Sequence, residues 1–160
     1  MHKLLTHNGS MYVHVHANMA PYMRLLLTEE FGVDAFRNEI YWYYPNKIPD
    51  TRKRLFTKST DTILFYALED NQFNHQQEGR DVPIKVSRMR KVKGKKIYVR
   101  GENGKVEMIE RNTRVIDNVW RIAMLHAQPE ITGYPTQKPQ SLLERINSPG
   151  GQGNDLRTQP

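Results

Sequence analysis

The sequence has no cysteine and no long apolar run, and its mean hydropathy is −0.73. Without cysteine the chain can form neither a disulfide nor a thiolate metal site. No apolar stretch approaches the ~20 residues needed to span a bilayer, and residues 1–7 are too few and too polar for a signal peptide. These absences exclude a disulfide-stapled secreted scaffold and a membrane span, and they favour a cytoplasmic protein.

Acidic residues are in the minority, with 17 Asp and Glu against 24 Lys and Arg, for a net charge of +7. This balance favours a polyanionic partner such as nucleic acid or an anionic membrane surface, and an ordinary basic soluble protein is an equally weighted alternative. The excess is concentrated between Lys85 and Arg114, where eleven basic residues stand against three acidic ones. That segment alone carries a net charge of +8, more than the whole chain.

Runs of β-forming residues predict strands at residues 10–15, 38–44 and 60–66. Between the first two strands, Pro21 and Gly32 bound a helix. We expect its apolar stripe to pack on a sheet, and the stripe comprises Tyr22, Met23, Leu26, Leu27 and Phe31. Strand, helix, strand and strand in this order predict an α/β layer architecture.

The second half of the chain predicts a hairpin, a short helix and a tail. Residues 96–100 and 105–109 alternate around Gly101-Glu102-Asn103-Gly104, which is typical of a β-hairpin. Pro139 opens a helix over residues 141–146, with Leu142, Leu143 and Ile146 on one face. The polar tail at 147–160 has nothing to bury, so we expect it to be disordered.

Several stretches in a fixed order carry a family resemblance. They are residues 9–14 with 36–42, then 61–66, then 117–122, and finally Gly-Tyr-Pro-Thr-Gln-Lys-Pro at 133–139, which runs into 142–146. Together they resemble the DNA amino-methyltransferases of the β arrangement, which methylate adenine N6 or cytosine N4. The last stretch is the most specific, and the resemblance covers roughly residues 8–146.

The resemblance implies a fold and a division of the chain. We expect an α/β fold with a partial Rossmann-like methyltransferase sheet and an inserted basic segment that contains a β-hairpin. Residues 1–71 would supply strands and a helix of the catalytic half, and residues 72–116 would be a target-recognition-like insertion. Residues 117–146 would return to the sheet and begin the half that binds S-adenosylmethionine.

Two motifs of the family are missing from this sequence. The family's catalytic loop is an Asp/Asn/Ser-Pro-Pro-aromatic tetrapeptide that holds the flipped target base, and no Pro-Pro pair occurs here. The family's Phe-x-Gly-x-Gly cofactor loop is also absent, since the Gly cluster at 150–153 is typical of a linker. We therefore expect an incomplete methyltransferase fragment that is inactive alone, with no catalytic residue assigned. A catalytically silent DNA-binding remnant or subunit is the alternative.

Candidate site residues follow from both lines of reasoning. Thr136, Gln137 and Lys138 lie between two prolines before a helix, where polar groups can meet a carboxylate, and the resemblance puts them beside the cofactor. A helix cap with a surface lysine is the alternative. S-adenosylmethionine binding by this chain alone is doubtful, so the missing part of the enzyme or a second subunit would complete it.

Double-stranded DNA is the expected macromolecular partner, with no membrane. The expected DNA contacts are all cationic side chains, namely Arg52, Lys53, Arg54, Arg88, Arg90, Lys91, Lys93, Lys95, Lys96 and Arg100. A solvated loop is the alternative for this cluster. His14 and His16 share one strand face, but a metal pair is the minor interpretation there, and no metal site is expected. The aromatic run at 41–44 favours core packing over base stacking.

Overall fold

A computed structural model describes residues 5–52, 54–69, 71, 73–126 and 129–148. The described residues up to Asn74 and from Ile116 onward form a first unit, and His75–Val115 forms a second. None of the described helices is long and apolar enough to cross a membrane. In chain order the elements are β1 (Ser10–Val15), α1 (Ala20–Phe31), a 3-10 turn (Val33–Ala35), β2 (Phe36–Tyr43), β3 (Thr60–Ala67), β4 (Gln77–Ser87), β5 (Met89–Val92), β6 (Lys95–Tyr98), β7 (Met108–Val115), β8 (Val119–Arg121) and α2 (Gln140–Asn147).

A four-stranded mixed sheet of order β1-β3-β2-β8 organises the first unit. Strand β3 is antiparallel to both β1 and β2, while β8 runs parallel to β2. Strands β1, β2 and β8 therefore share one direction, and their carboxyl ends meet the amino end of β3 at one edge. The three strands expected in this part of the chain are confirmed, with bounds within two residues of those predicted, and so is the mixed α/β character.

Strand β3 is buried on both faces, as its nearly continuous apolar run requires. On one face Leu64 and Tyr66 pack with Leu27 and Phe31 of α1. The opposite face is a larger cluster with α2, and its buried members are Ile40, Trp42, Tyr44, Ile63, Phe65, Ala67, Trp120, Ile122 and Leu142. The helices thus cover opposite faces of the sheet, and β3 lies at the centre of both cores.

The expected apolar stripe of α1 is only partly correct. Leu27 and Phe31 are buried and Met23 packs beside them, but Tyr22 and Leu26 are exposed. Because each helical residue turns by ~100°, residues 23, 27 and 31 form one row, and residues 22 and 26 lie a full step around the helix. Helix α1 ends at Gly32, whose φ of 85° is left-handed, as glycine allows.

The aromatic run and the second helix behave in the same periodic way. Trp42 and Tyr44 are buried, whereas Tyr41 and Tyr43 alternate to the exposed side, so core packing holds for half of the run. In α2, Leu142 is buried and Ile146 packs against the same cluster. Leu143, expected on that face, is exposed. Of the tail at 147–160, only residues 147 and 148 lie within the described part of the chain.

The second unit consists of two antiparallel strand pairs, β4 with β7 and β5 with β6. The hairpin expected between residues 96–100 and 105–109 is only partly correct, because β6 pairs with β5 and β7 pairs with β4. Near the turn the expected pairing is present, through the Arg100–Val106 bridge and the 2.9 Å bonds from the N–H of Glu107 to the carbonyl of Val99 and from the N–H of Gly101 to the carbonyl of Lys105. Lys93 and Gly94, with φ of 46° and 82°, form a two-residue turn that suits the strand twist and closes β5 onto β6.

Two leucine truncations test the central place of β3. Leu64 is 0% exposed, so we expect Leu64→Ala to lower the free energy of unfolding by roughly 2–5 kcal/mol through reduced burial and a cavity. Leu25 of α1 is 70% exposed, and Leu25→Ala should change it by less than about 0.5 kcal/mol. Urea unfolding followed by circular dichroism measures both. Equal effects would contradict the two-faced burial of β3.

Candidate functional site

A cleft of about 350 Å³ opens at the edge of the sheet where β2 ends and β3 begins. Its walls come from that edge and from the segment that leads to α2, and the lining residues are Trp42, Tyr44, Asp61, Met124, Leu125, Ile131, Tyr134, Pro135, Thr136, Gln137 and Lys138. In open α/β sheets, ligands bind outside the carboxyl ends of the strands. The cleft lies at that edge and is the candidate binding site of the first unit.

Three hydrogen bonds fix the segment after β8 against the end of β2. The indole Nε1 of Trp42 donates to the carbonyl of Ile122 over 2.8 Å. The side chain of Asn46 bonds both backbone groups of Met124, donating to its carbonyl at 2.9 Å and accepting from its N–H at 2.8 Å. Because residues some 78 to 80 positions apart are joined in this way, the cleft has a preformed wall.

Thr136, Gln137 and Lys138, the expected cofactor residues, all line this cleft, but they differ in their bonding. The amide of Gln137 is engaged, because Nε2 donates to the carbonyl of Glu130 at 2.7 Å and Oε1 accepts from the N–H and hydroxyl of Thr132. Gln137 therefore braces its own loop. The Lys138 ammonium makes no hydrogen bond to the residues that the structure describes, so it is available to a bound group.

Asp61 is a residue of the cleft that the sequence analysis did not single out. Its Oδ2 lies 3.2 Å from Nε2 of His14, and that imidazole packs edge-on against Trp42 with ring centroids 5.6 Å apart. Burial lowers the pKa of His14, as does the positive charge of Lys138, against the opposing effect of Asp61. A signal was available, since Asp61 is the one charged residue in the strand predicted at 60–66.

His14 and His16, which share a strand face in the sequence pattern, have separate partners. His14 bonds Asp61, whereas Nε2 of His16 lies 3.1 Å from the ammonium of Lys58. The same ammonium donates to the side-chain oxygen of Asn18 at 3.0 Å. The two imidazoles therefore serve different local networks.

The expected DNA-binding side chains divide into restrained and unrestrained groups. In the first unit, Arg52 is ion-paired with Asp50 at 2.9 Å. In the second unit, Arg88 donates to Glu107 at 2.8 Å, and Arg100 donates to a backbone carbonyl at 2.7 Å. Arg54 is exposed, and Lys53 lies outside the described residues. The members carried by β5, β6 and their turn are all exposed, namely Arg90, Lys91, Lys93, Lys95 and Lys96.

The β5–β6 hairpin places positive charges close together, and their repulsion destabilises the hairpin when no anion is bound. Lys91 lies directly opposite Lys96, and Lys93 occupies the turn beside them. Like charges on directly opposed residues destabilise a strand pair. No acidic residue occurs between Lys85 and Gly101 to offset them. An anion bound along the hairpin would relieve this repulsion, so the hairpin is the candidate nucleic-acid interface.

Comparison with known proteins agrees with the resemblance seen in the sequence. A family model described as DNA methylase, of the N6/N4 type, matches residues 1–149. The type II methyltransferase M.HpaI of Haemophilus parainfluenzae is 25% identical over 160 residues, which cover 99% of this chain and 44% of that protein. The chain thus spans less than half the length of this curated relative. Since the family match extends over most of the sequence, the chain belongs to the DNA methylase family of N6/N4 methyltransferases.

Proposed function

We propose that this chain takes part in the site-specific methylation of DNA, at adenine N6 or cytosine N4, with S-adenosylmethionine as the methyl donor. The observation that carries the proposal is the cleft at the sheet edge, which gathers Thr136 and Lys138 beside Trp42 and Asp61. Its volume of about 350 Å³ falls within the range of roughly 300–1,000 Å³ for small-molecule sites. A cofactor with a carboxylate and a planar base suits a cleft with an ammonium and aromatic walls.

The sheet is consistent with part of a doubly wound, Rossmann-like methyltransferase domain. Strands β1, β2 and β8 share one direction, with β3 antiparallel between β1 and β2, and α1 and α2 cover opposite faces, as helices do in doubly wound sheets. In that scheme β1, β2 and β3 belong to the catalytic half and residues 117–146 lead into the cofactor half. The basic unit at His75–Val115 would then be the target-recognition insertion between them.

In the cofactor site, each of the three expected residues would have its own task. Lys138, with an ammonium that is not engaged by the described residues, would hold the carboxylate of the cofactor, and the hydroxyl of Thr136 would assist it. Gln137 would keep the loop in shape through its bonds to Glu130 and Thr132. When bound, S-adenosylmethionine supplies the methyl group, and the chain's residues position it.

In the DNA site, the β5–β6 hairpin would contact phosphates of the duplex. A two-stranded ribbon fits the major groove of B-DNA, and lysines at its tip reach phosphate oxygens on either side. Methylation of an exocyclic amine needs the target base out of the stack. The catalytic Pro-Pro loop that would receive the base is absent from these 160 residues. The catalytic step would therefore need the rest of an enzyme or a second subunit.

A second candidate function follows from the same charge pattern. The chain would then be a catalytically silent DNA-binding subunit, whose contribution is the hairpin rather than the cleft. The exposed lysines of β5 and β6 favour it, together with the absence of a Pro-Pro pair. The two candidates differ in whether the cleft binds the cofactor.

Methyl transfer by the purified chain is the first test. We expect the 160-residue chain to incorporate no tritium from labelled S-adenosylmethionine into unmethylated duplex DNA above background, because the catalytic loop is not among its residues. A complete N6/N4 methyltransferase assayed on the same DNA is the positive control. Turnover well above background would show that these residues supply the catalytic step themselves, against the proposal.

The salt dependence of DNA binding tests the hairpin. The logarithm of the binding constant falls as the logarithm of the salt concentration rises. Replacing Lys91, Lys93, Lys95 and Lys96 by Ala should make this negative slope shallower by roughly three to four, at ~0.9 for each phosphate that the variant no longer neutralises. Fluorescence anisotropy with a labelled duplex measures the slope.

The matched comparison is the double variant Arg52→Ala and Arg88→Ala, which removes side chains already ion-paired to Asp50 and Glu107. We expect this double variant to make the negative slope shallower by less than about one, because carboxylates already hold both guanidinium groups. If the lysine variant leaves the slope unchanged, those lysines only solvate the hairpin.

A further inference from the structure

Asp61 is the one acidic residue among the described residues that line the cleft. It stands at the start of β3, directly opposite Trp42 of β2 in the register of the sheet. Its side chain is 19% exposed and lies beside the larger of the two cores. A carboxylate in such a half-apolar position loses hydration, so it needs hydrogen-bonding partners there.

One partner is His14, and its bond has a defined direction. An ionised carboxylate only accepts hydrogen bonds, so Nε2 of His14 carries the proton and donates to Oδ2 over 3.2 Å. The edge-on contact with Trp42 holds the imidazole ring in place. The other oxygen, Oδ1, makes no hydrogen bond to any described residue. His14 therefore orients the Asp61 carboxylate through Oδ2, and Oδ1 can accept a hydrogen bond from a molecule in the cleft.

The charges around Asp61 indicate what that molecule presents. Burial and the positive charge of Lys138 both lower the pKa of His14, so at neutral pH the imidazole donates its hydrogen bond without adding a positive charge beside Asp61. That charge reaches the neighbouring ring, because burial and Asp61 together raise the pKa of Tyr44. A negative acceptor beside aromatic walls is complementary to a hydrogen-bond donor, most of all a cationic one.

We propose that Asp61 contacts the bound molecule directly and accepts a hydrogen bond from a primary amino group on it, with His14 as its positioning residue. The inference rests on the proposed function, because it needs the cofactor or the target base in the cleft. Both sources carry the required chemistry, since S-adenosyl compounds have an α-ammonium and an adenine amine, and adenine and cytosine have exocyclic amines. Lys138 and Asp61 would then take opposite charges of one ligand.

A pH dependence follows from the position of His14. The charged groups that act on it are Asp61 on β3 and Lys138 before α2, and the Tyr44 phenol after β2 lies within the influence of Asp61. As the pH falls through the lowered pKa of His14, the imidazolium compensates Asp61 and weakens its hold on an amino group. Affinity therefore declines on acidification. A glutamine at position 14 donates the same hydrogen bond without titrating.

The test uses the full chain and S-adenosylhomocysteine at millimolar concentrations, with binding read by NMR titration so that weak affinity is measurable. We expect Asp61→Asn to weaken binding by at least about tenfold, because it removes a charge-assisted hydrogen bond. His14→Gln should keep the affinity at neutral pH and remove its decline between about pH 7 and pH 5. Asp34→Asn and His7→Gln make the same chemical changes at exposed positions outside the cleft and should alter neither property.

Further ligands identify which amine is bound. 5′-Methylthioadenosine lacks the α-ammonium. If Asp61→Asn weakens the binding of S-adenosylhomocysteine but not of 5′-methylthioadenosine, Asp61 contacts the amino-acid end of the ligand. A loss of affinity for both assigns it to the adenine amine. A loss of affinity confined to deoxyadenosine or deoxycytidine assigns it to the target base.

The outcomes separate the inference from the proposed function. If Lys138→Ala weakens binding and Asp61→Asn changes it for none of these ligands, Asp61 is no ligand contact and the inference is overturned while the cofactor cleft stands. If the wild-type chain binds none of the ligands, the inference and the cofactor role of the cleft are both overturned, and the DNA-binding subunit is the function that stands. Thermal melting checks that the Asp61→Asn variant folds. If this variant does not fold, the pH dependence of ligand affinity in His14→Gln is the test, and an affinity that still declines on acidification in His14→Gln contradicts the inference.

Discussion

Burial of β3 on both of its faces is the constraint on which the rest of the first unit depends. Its residues alternate between a core shared with α1 and a core shared with α2, so every neighbouring element is placed relative to this one strand. The apolar run ends at the amino end of β3, where Thr60 and Asp61 replace it. Where the strand stops burying apolar surface, the sheet presents polar groups at its edge, and the cleft lies at that edge. The buried part of β3 therefore stabilises the first unit, and its polar amino end lies at the candidate binding site.

Element types followed from the sequence because the relevant signals are local. Pro21 and Gly32 bound α1, and runs of β-forming residues marked three strands of the sheet. Partners and faces were harder, because they depend on geometry that composition does not express. The pairing of β6 was mispredicted since Lys93 adopts a left-handed conformation that favours a tight turn, whereas Gly101 and Gly104 gave the more visible turn signal. Leu26 was assigned to the wrong side of α1 because apolar residues cover a broad part of the helix surface, and the sequence does not show which row of them packs on the sheet.

The candidate sites illustrate a similar limit. The sequence indicated the segment at 136–138, which lines the cleft, but it could not separate Gln137, which braces its loop, from Lys138, which is unengaged by the described residues. The sequence also located the basic residues, but their partners depend on the fold: Arg52 and Arg88 are held by carboxylates, whereas Lys91 and Lys96 of the hairpin lie opposite each other. Asp61 was overlooked because its importance comes from His14, which lies 47 positions away in the chain. Charge alone marks a region, and the partners of each charge determine its use.

The short parallel strand β8 has a consequence for how the chain folds. Its pairing with β2 and the bond from Trp42 to Ile122 join residues about 80 positions apart in the sequence. All residues of the second unit at His75–Val115 come between them in chain order. The entropy of closing so long a loop rises only logarithmically with length, but distant pairings raise the contact order and slow folding. Strands β1, β2 and β3 need shorter closures, so they would associate first and β8 would join late. Since the segment after β8 forms a wall of the cleft, the candidate binding site would be among the last parts of the first unit to become native during synthesis or refolding.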